Sequence, residues 1–496
     1  MEKRARSRAE KILDGVIRGG LLALVVLAPL PFGAVEAWAY SALELGVAAI
    51  ALLYLYRLFL YPASTRVSFS PLLIPAAGFL LLMGLQMTPL SPAILRAVSP
   101  KTDSLYQSML PGAPAAPAEI AKADHAALGA AYQAAAARQP LSQNFFATRT
   151  YLMKGVALTL FLFLFLNTFR TLQEIRRVLY AFVAVGTFEA FYGVLEYLSG
   201  HQHIFAYQKR FYVDAATGTF INRNHFAAFL EMALVIALGL LFSRLREPQS
   251  GETWREKLLA LTDRRASLNL TLLLCIGITG VGLVLSYSRA GIILGLACAA
   301  AFCLLQLRQN WSLQKTLLMG ILALVVFVPM YGVGYWTLTG RYALLSNEVT
   351  MPGGRMAVWR KTVEIVRDFP LVGTGIGTFQ YVFPRYREAT TTAFYDYAHS
   401  DYLQVLAEGG LAGGFLLAAG IFLVVKVWVG RRAARSGGVL RAACGFALLS
   451  VGMHEAVDFS LQIPANLLAF TFLVACLTLL SAAELSSENE IEAPHA

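Results

Sequence analysis

Charge is scarce in this chain of 496 residues: 14% are Asp, Glu, Lys or Arg, and 57% are apolar. A soluble domain carries about 25% charged residues, so a water-exposed globular protein is excluded. Cysteine is scarce too. Cys275, Cys298, Cys303, Cys444 and Cys476 all fall inside apolar blocks, and none forms a CxxC pair. Neither a zinc site nor a disulfide framework is supported, and the thiols read as small buried apolar groups. The only tight histidine pair, His201-x-His203, lacks a third ligand. No metal and no cofactor are expected. Gly373-Thr374-Gly375-Ile376-Gly377 is glycine-rich, but its spacing is wrong for a dinucleotide loop and no strand precedes it. It reads as a flexible turn.

Long apolar runs fill the space. Leu21 to Leu30, Val156 to Leu166 and Leu317 to Met330 hold no charged residue. With their flanks they approach the roughly 20 residues needed to cross a hydrocarbon core about 30 Å thick. The formal charge of +11 sits mostly in short gaps between such runs. That distribution orients helices in a bilayer, and nucleic acid is not an expected partner. The spans predicted are 17–34, 38–60, 69–88, 152–169, 178–199, 224–243, 269–287, 290–307, 316–336, 402–428, 438–455 and 464–483. One set of alternate gaps holds more than half of the 41 Lys and Arg residues and is taken as cytoplasmic, with both termini on that side. The basic start, Met1 to Arg18, resembles a signal peptide, but Val35-Glu36-Ala37 is a poor cleavage site and an uncleaved helix is expected.

The fold class expected is all-α, a polytopic transmembrane bundle of about twelve helices. Residues 1–88 hold the first three spans, and 89–151 form an Ala/Pro-rich insertion on the outer side. Residues 152–336 hold spans four to nine, 337–401 a large outer loop, and 402–496 the last three spans and a cytoplasmic tail. The insertion reads as a covering hairpin with a helix-prone stretch from Ala118 to Arg138 and no chemistry. In the large loop, Met356, Trp359, Val363 and Val366 stand at i, i+3, i+7 and i+10. An amphipathic helix ending at Pro370 is predicted, lying on the membrane or the bundle top.

Polar residues at the outer helix ends carry the functional signal. Arg223 and His225 lie in Asn222-Arg223-Asn224-His225, and Arg289 in the short gap Ser286-Tyr287-Ser288-Arg289-Ala290-Gly291. His399 and Asp401 lie in Ala398-His399-Ser400-Asp401-Tyr402, and His454, Glu455 and Asp458 close the eleventh span. Each has a plainer reading. An arginine snorkels to headgroups, a histidine caps a helix, and Asp458 bonds a neighbouring helix. Arg385 and Arg387 read as a solvated face. Charge counting nevertheless puts the whole set on one side of the membrane, where ionisable groups in a bundle default to function. Two guanidinium groups can hold a pyrophosphate as it leaves, and a histidine can take a proton from an attacking hydroxyl. ATP is not expected outside the cytoplasm, so the donor would be pre-activated and lipid-borne.

The same stretches resemble the O-antigen ligase and polymerase superfamily. They are GTFINRNHFAAFLEM at 218–232, SYSRAG at 286–291, GGRMAVWRKTVEIVRDFPLVGTGIGTF at 353–379 and YAHSDYLQVLAEGGLAGG at 397–414. HEAVDFSLQIPAN at 454–466 is similar to a subset of the family. The resemblance spans roughly residues 145–480. It implies a GT-C-like helical fold and a metal-independent, inverting transfer of a glycan from undecaprenyl pyrophosphate. The acceptor would be lipid A–core in a ligase, another lipid-linked repeat in a polymerase (of O-antigen or exopolysaccharide), or a protein hydroxyl in a related group. It further implies that Arg223 and Arg289 contact the pyrophosphate, that Arg355 adds to that site, and that His399 is essential. His225, Asp401, His454 and Asp458 are the accompanying binding residues, with Asp458 either orienting His399 or serving as the base itself. The resemblance places the site on the periplasmic face of a bacterial inner membrane. The rival reading is a transporter of lipid-linked glycan without chemistry, and no convincing internal repeat supports it.

Overall fold

The computed structural model describes residues 7–62, 67–109, 138–245, 264–309, 320, 354–388, 394–430 and 435–482. All but residue 320 of the span expected at 316–336, and nearly all of the stretch from Ala118 to Arg138, lie outside the described residues. Among the described residues the chain is helical apart from one two-stranded hairpin. Nine helices among the described residues are long and apolar enough to cross a membrane. The chain divides into two compact units.

The first unit covers Met1–Ser70, Leu160–Leu344 and Leu423–Ala496. Its described helices are α1 (Arg8–Leu27), α2 (Ala37–Leu60), the end of α6 (Phe145–Thr168), α7 (Leu172–Ser199), α8 (Arg223–Arg244), α9 (Arg264–Leu285) and α10 (Arg289–Gln309). The end of α13 (Asp401–Val429), α14 (Arg435–His454) and α15 (Pro464–Ser481) complete it. Strands β1 (His203–Ile204) and β2 (Tyr207–Gln208) lie between α7 and α8. α8 is apolar on all sides and buried along almost its whole length, as a central helix must be. Small residues bring its neighbours close: Gly186 of α7 faces Ala233, and Gly239 faces Ala443 of α14. Contacts of this kind replace the hydrophobic drive that lipid removes.

The first helix differs from the expected span. It starts at Arg8, with the Ser7 hydroxyl accepting from Glu10 N, and ends at Leu27. Two carboxylates early in the helix hide it from a hydropathy reading. In the fold, Glu10 and Asp14 are buried against Arg57 of α2. Beyond Leu27 the chain turns through a 3-10 segment, Phe32–Ala34, in which Gly33 has φ 70° against the Phe220 ring.

The second unit covers Pro71–Thr159 and Leu345–Phe422. It holds α3 (Leu73–Met87), α4 (Pro92–Val98), α5 (Pro100–Met109), the start of α6, α11 (Arg355–Asp368), α12 (Phe379–Val382) and the start of α13. The ends of the Ala/Pro-rich insertion close on each other through an antiparallel bridge between Leu90 and Gln139. α11 forms where the amphipathic pattern predicts it, but its buried face is rotated. Val358, Thr362 and Ile365 are buried and Met356 is 42% exposed. The reason is packing against its own unit, where Val358, Ile365 and Phe369 join Phe379, Val382, Phe383, Ala398 and Ala407 in one core.

α13 is broken at Gly410, with φ 60° and ψ −159°. The chain leaving α11 fits into the break. Pro370 O accepts from Leu411 N at 2.8 Å and Leu371 O from Ala412 N at 3.0 Å. An added Cβ at Gly410 would stand 2.5 Å from Leu371 C, so no other residue fits. The glycine run that follows is a turn held on all sides. Gly373, Gly375 and Gly377 have φ 67°, 108° and 85°. Gln86 of α3 donates to Val372 O and Glu408 O and accepts from Ile376 N.

Candidate active site

Arg223 and Arg289 each open a helix in the first unit. Asn222 precedes Arg223 and accepts from Asn224 N at 2.8 Å through its side chain. Ser288 precedes Arg289, and its hydroxyl lies 3.4 Å from Gly291 N. The two helix starts are adjacent, since a Cβ on Gly291 would stand 2.6 Å from Ala227 Cβ. Two half-buried arginines therefore stand at neighbouring helix N-termini, where backbone N–H groups and the helix dipole already favour an anion. The Arg223 guanidinium lies 5.4 Å from the centre of the Tyr212 ring, a cation–π arrangement. Tyr287, just before Arg289, has φ 52°, and its hydroxyl is 2.7 Å from that of Tyr197.

Asp458 is buried beside Arg223's helix start. Its carboxylate accepts from Asn224 Nδ2 at 2.6 Å and from Phe459 N at 2.9 Å. His225 packs edge-on to Phe459, and Asn466 Nδ2 donates to its carbonyl at 2.9 Å. Arg223, His225 and Asp458 thus form one neighbourhood. His454 lies deeper. It is fully buried, with Nδ1 2.7 Å from Glu231 Oε1, and Ser450 donates to the other carboxylate oxygen at 2.6 Å. Glu231 is about two helical turns along α8 from Arg223.

In the second unit, Arg355 opens α11 and His399 occupies the turn before α13, with φ 52°. Trp359, one turn into α11, donates its indole N–H to His399 O at 3.2 Å. Gln404 accepts from Ala398 N at 3.0 Å, which fixes the backbone just before His399. Tyr395 lies edge-on to the His399 ring. Asp401 is the buried first residue of α13. Burial raises the carboxyl pKa of Asp396 and the phenol pKa of Tyr397 in the same turn.

Sequence reading missed three carboxylates, each holding a stretch that it had singled out. Glu189 of α7 accepts from the backbone and hydroxyl of Thr219, both at 2.8 Å, and so holds the loop before Arg223. Glu231 holds Ser450 and His454. Glu408 of α13 accepts from Gly377 N at 2.9 Å and Phe379 N at 2.8 Å. Each is a charge inside an apolar helix, and that cost was itself a usable signal.

Residues 271–418 match the family model described as O-antigen ligase. Over these residues the chain is similar to O-antigen ligases. The matched range includes Arg289, Arg355, His399 and Asp401, whereas Arg223, His225, His454 and Asp458 lie outside it. Among the described residues, nine helices are long and apolar enough to cross a membrane, and the matched range takes in parts of that helical array. No curated protein matches the chain.

Proposed function

We propose that the protein moves a glycan from undecaprenyl pyrophosphate to a hydroxyl acceptor at the periplasmic face of the inner membrane, in the manner of an O-antigen ligase. The observation that carries this reading is the pair of half-buried arginines at adjacent helix N-termini, one of them inside the range similar to O-antigen ligases. Guanidinium groups keep their charge and grip phosphate oxygens in a bidentate fork. In the proposed reaction the acceptor oxygen attacks the anomeric carbon and the bond from that carbon to the pyrophosphate oxygen breaks. The electron pair leaves with the polyprenyl pyrophosphate, where Arg223 and Arg289 stabilise it and Arg355 adds charge. His399 takes the acceptor proton, and Asp458 completes the polar surroundings of Arg223. His225, Asp401 and His454 shape the binding region.

The test is a reconstituted transfer assay with purified protein, polyprenyl-pyrophosphate glycan, EDTA and one acceptor at a time. Glycan appearing on lipid A–core supports the ligase reading. A ladder of longer lipid-linked glycans makes the protein a polymerase instead. Arg223→Ala and Arg289→Ala should each lower the rate about 100- to 1000-fold, the usual loss when a group that stabilises developing charge is removed. A base at His399 works only as the neutral imidazole, so activity should be lost on acidification. Donor binding without transfer to any acceptor would favour the transporter reading.

A further inference from the structure

The segment between α7 and α8 has two faces. In the β1–β2 hairpin, Ile204 pairs with Tyr207, leaving Phe205 and Ala206 as a two-residue turn. Turns of this length favour Asn, Asp or Gly where φ is positive. Here Phe205 takes that position, with φ 51°, and its side chain is 53% exposed. The Tyr192 hydroxyl accepts from Phe205 N at 2.7 Å and fixes the conformation. A large aromatic kept in a strained, exposed position points to a use for the ring.

The following residues continue the division. Lys209 is buried, with its ammonium 2.6 Å from Glu196 Oε1 and 3.1 Å from Ala215 O, and it pins the loop to α7. Phe211 and Val213 then face outward, Phe211 with 65% of its surface exposed. Tyr212 between them has φ 54° and lies beneath the Arg223 guanidinium.

The hairpin lies beside an exposed stripe on α7, held there through Tyr192. Phe188, Phe191, Leu195 and Leu198 are all exposed along a helix long and apolar enough to cross the membrane, and their spacing of i, i+3, i+7 and i+10 puts them on one side. Phe205 lies alongside this stripe, about two turns before the helix end, with its ring 5.4 Å from that of Tyr192. Tyr207 contacts Phe32, and Trp38 is exposed at the nearby start of α2. Arg210 is exposed between the hairpin and Phe211. Exposed aromatic rings with a basic residue, at the level where a helix leaves the bilayer, have the composition of the membrane interface.

We propose that the 203–208 hairpin and Phe211 bind the lipid surface, lodging in the boundary between headgroups and acyl chains. This anchor sets the depth of the loop that carries Tyr212 against Arg223. It stands whether or not the protein is a transferase.

The test uses single-site variants Phe205→Cys and Phe211→Cys, each labelled with a nitrobenzoxadiazole fluorophore. The protein is reconstituted in vesicles of phosphatidylethanolamine and phosphatidylglycerol. Four native thiols are buried and Cys275 is half-buried, so unsubstituted protein carried through the labelling gives the background. The expected result is iodide quenching several-fold weaker than for the free dye adduct. Nitroxides on the headgroup or a shallow acyl position should quench strongly, and nitroxides at the chain end weakly. Quenching by iodide as in free solution, with no effect of lipid nitroxides, would overturn the proposal. Protection from both quenchers would also overturn it, because protein would then cover the hairpin. If Phe205→Cys fails to elute as a single folded species, Phe211→Cys and Val213→Cys carry the same readings.

Discussion

Carboxylates inside apolar helices are costly unless their oxygens are satisfied. Glu189, Glu231 and Glu408 meet that condition by accepting from the stretches that hold the candidate site residues. Glu408 is the clearest case, since its two oxygens take the backbone N–H groups of Gly377 and Phe379. Glu408→Ala leaves both donors buried and unmatched, which should lower stability by about 2–4 kcal/mol. Glu408→Gln keeps one acceptor and should cost less. Thermal unfolding in detergent measures both, and an unchanged midpoint in the alanine variant would show that the loop is held by other contacts. A local reading could not assign these roles. The partners lie 30 residues from Glu189, 219 and 223 from Glu231, and 31 and 29 from Glu408. Arg223, Arg289 and His399 could be singled out from the sequence as candidates, because a polar residue at the edge of an apolar run shows without knowledge of any partner.

Tyr386 gives a pH test at the same scale. Burial, and then its 2.6 Å hydrogen bond to Asp368, push its phenol pKa above the ordinary value. The folded state therefore favours the protonated phenol more than the unfolded state does. The resulting stabilisation is full below the unfolded value of about 10 and is lost as pH rises through the higher folded value. Tyr386→Phe should unfold at lower temperature than wild type at about pH 8, and the gap should narrow at strongly alkaline pH. A gap that widened with pH would contradict this sign.

At the level of elements, hydropathy located most helices, because a bilayer demands length and apolarity whatever the helices pack against. It failed where partners alter the cost of a charge or the choice of a face. α1 begins well before its predicted start because Arg57 neutralises Glu10 and Asp14. α11 turns a different stripe inward because its partners are Phe379, Phe383 and Ala407, not a membrane surface. The glycine run was legible as a turn, but its rigidity depends on Gln86 and Glu408, both distant in sequence. The break in α13 supplies a prediction for this scale. Gly410→Ala adds a Cβ in a backbone region open essentially to glycine alone, and in contact with Leu371 and Gly373. It should destabilise the protein by about 1–3 kcal/mol or more and expose the 370–378 segment to protease. Cleavage there at the wild-type rate would mean that α13 tolerates the change without releasing the loop.

Over the whole molecule, the charge pattern is a statement about orientation. In the first unit, Arg57 lies in the last turn of α2, Arg244 ends α8 and Arg308 lies in the last turn of α10, while Arg176 and Arg177 lie near the start of α7. Arg223 and Arg289 stand at the opposite ends of α8 and α10. Short loops rich in Lys and Arg stay in the cytoplasm, so the helix starts bearing Arg223 and Arg289 should face outward. Reporter fusions can read this directly. Alkaline phosphatase joined after residue 388 should be active and after residue 245 inactive, and a fluorescent protein at the C-terminus should fold and emit. The reverse pattern would put both arginines on the cytoplasmic face. Nucleotide-activated donors would then be within reach, and the argument for a lipid-borne pyrophosphate donor would lose its premise.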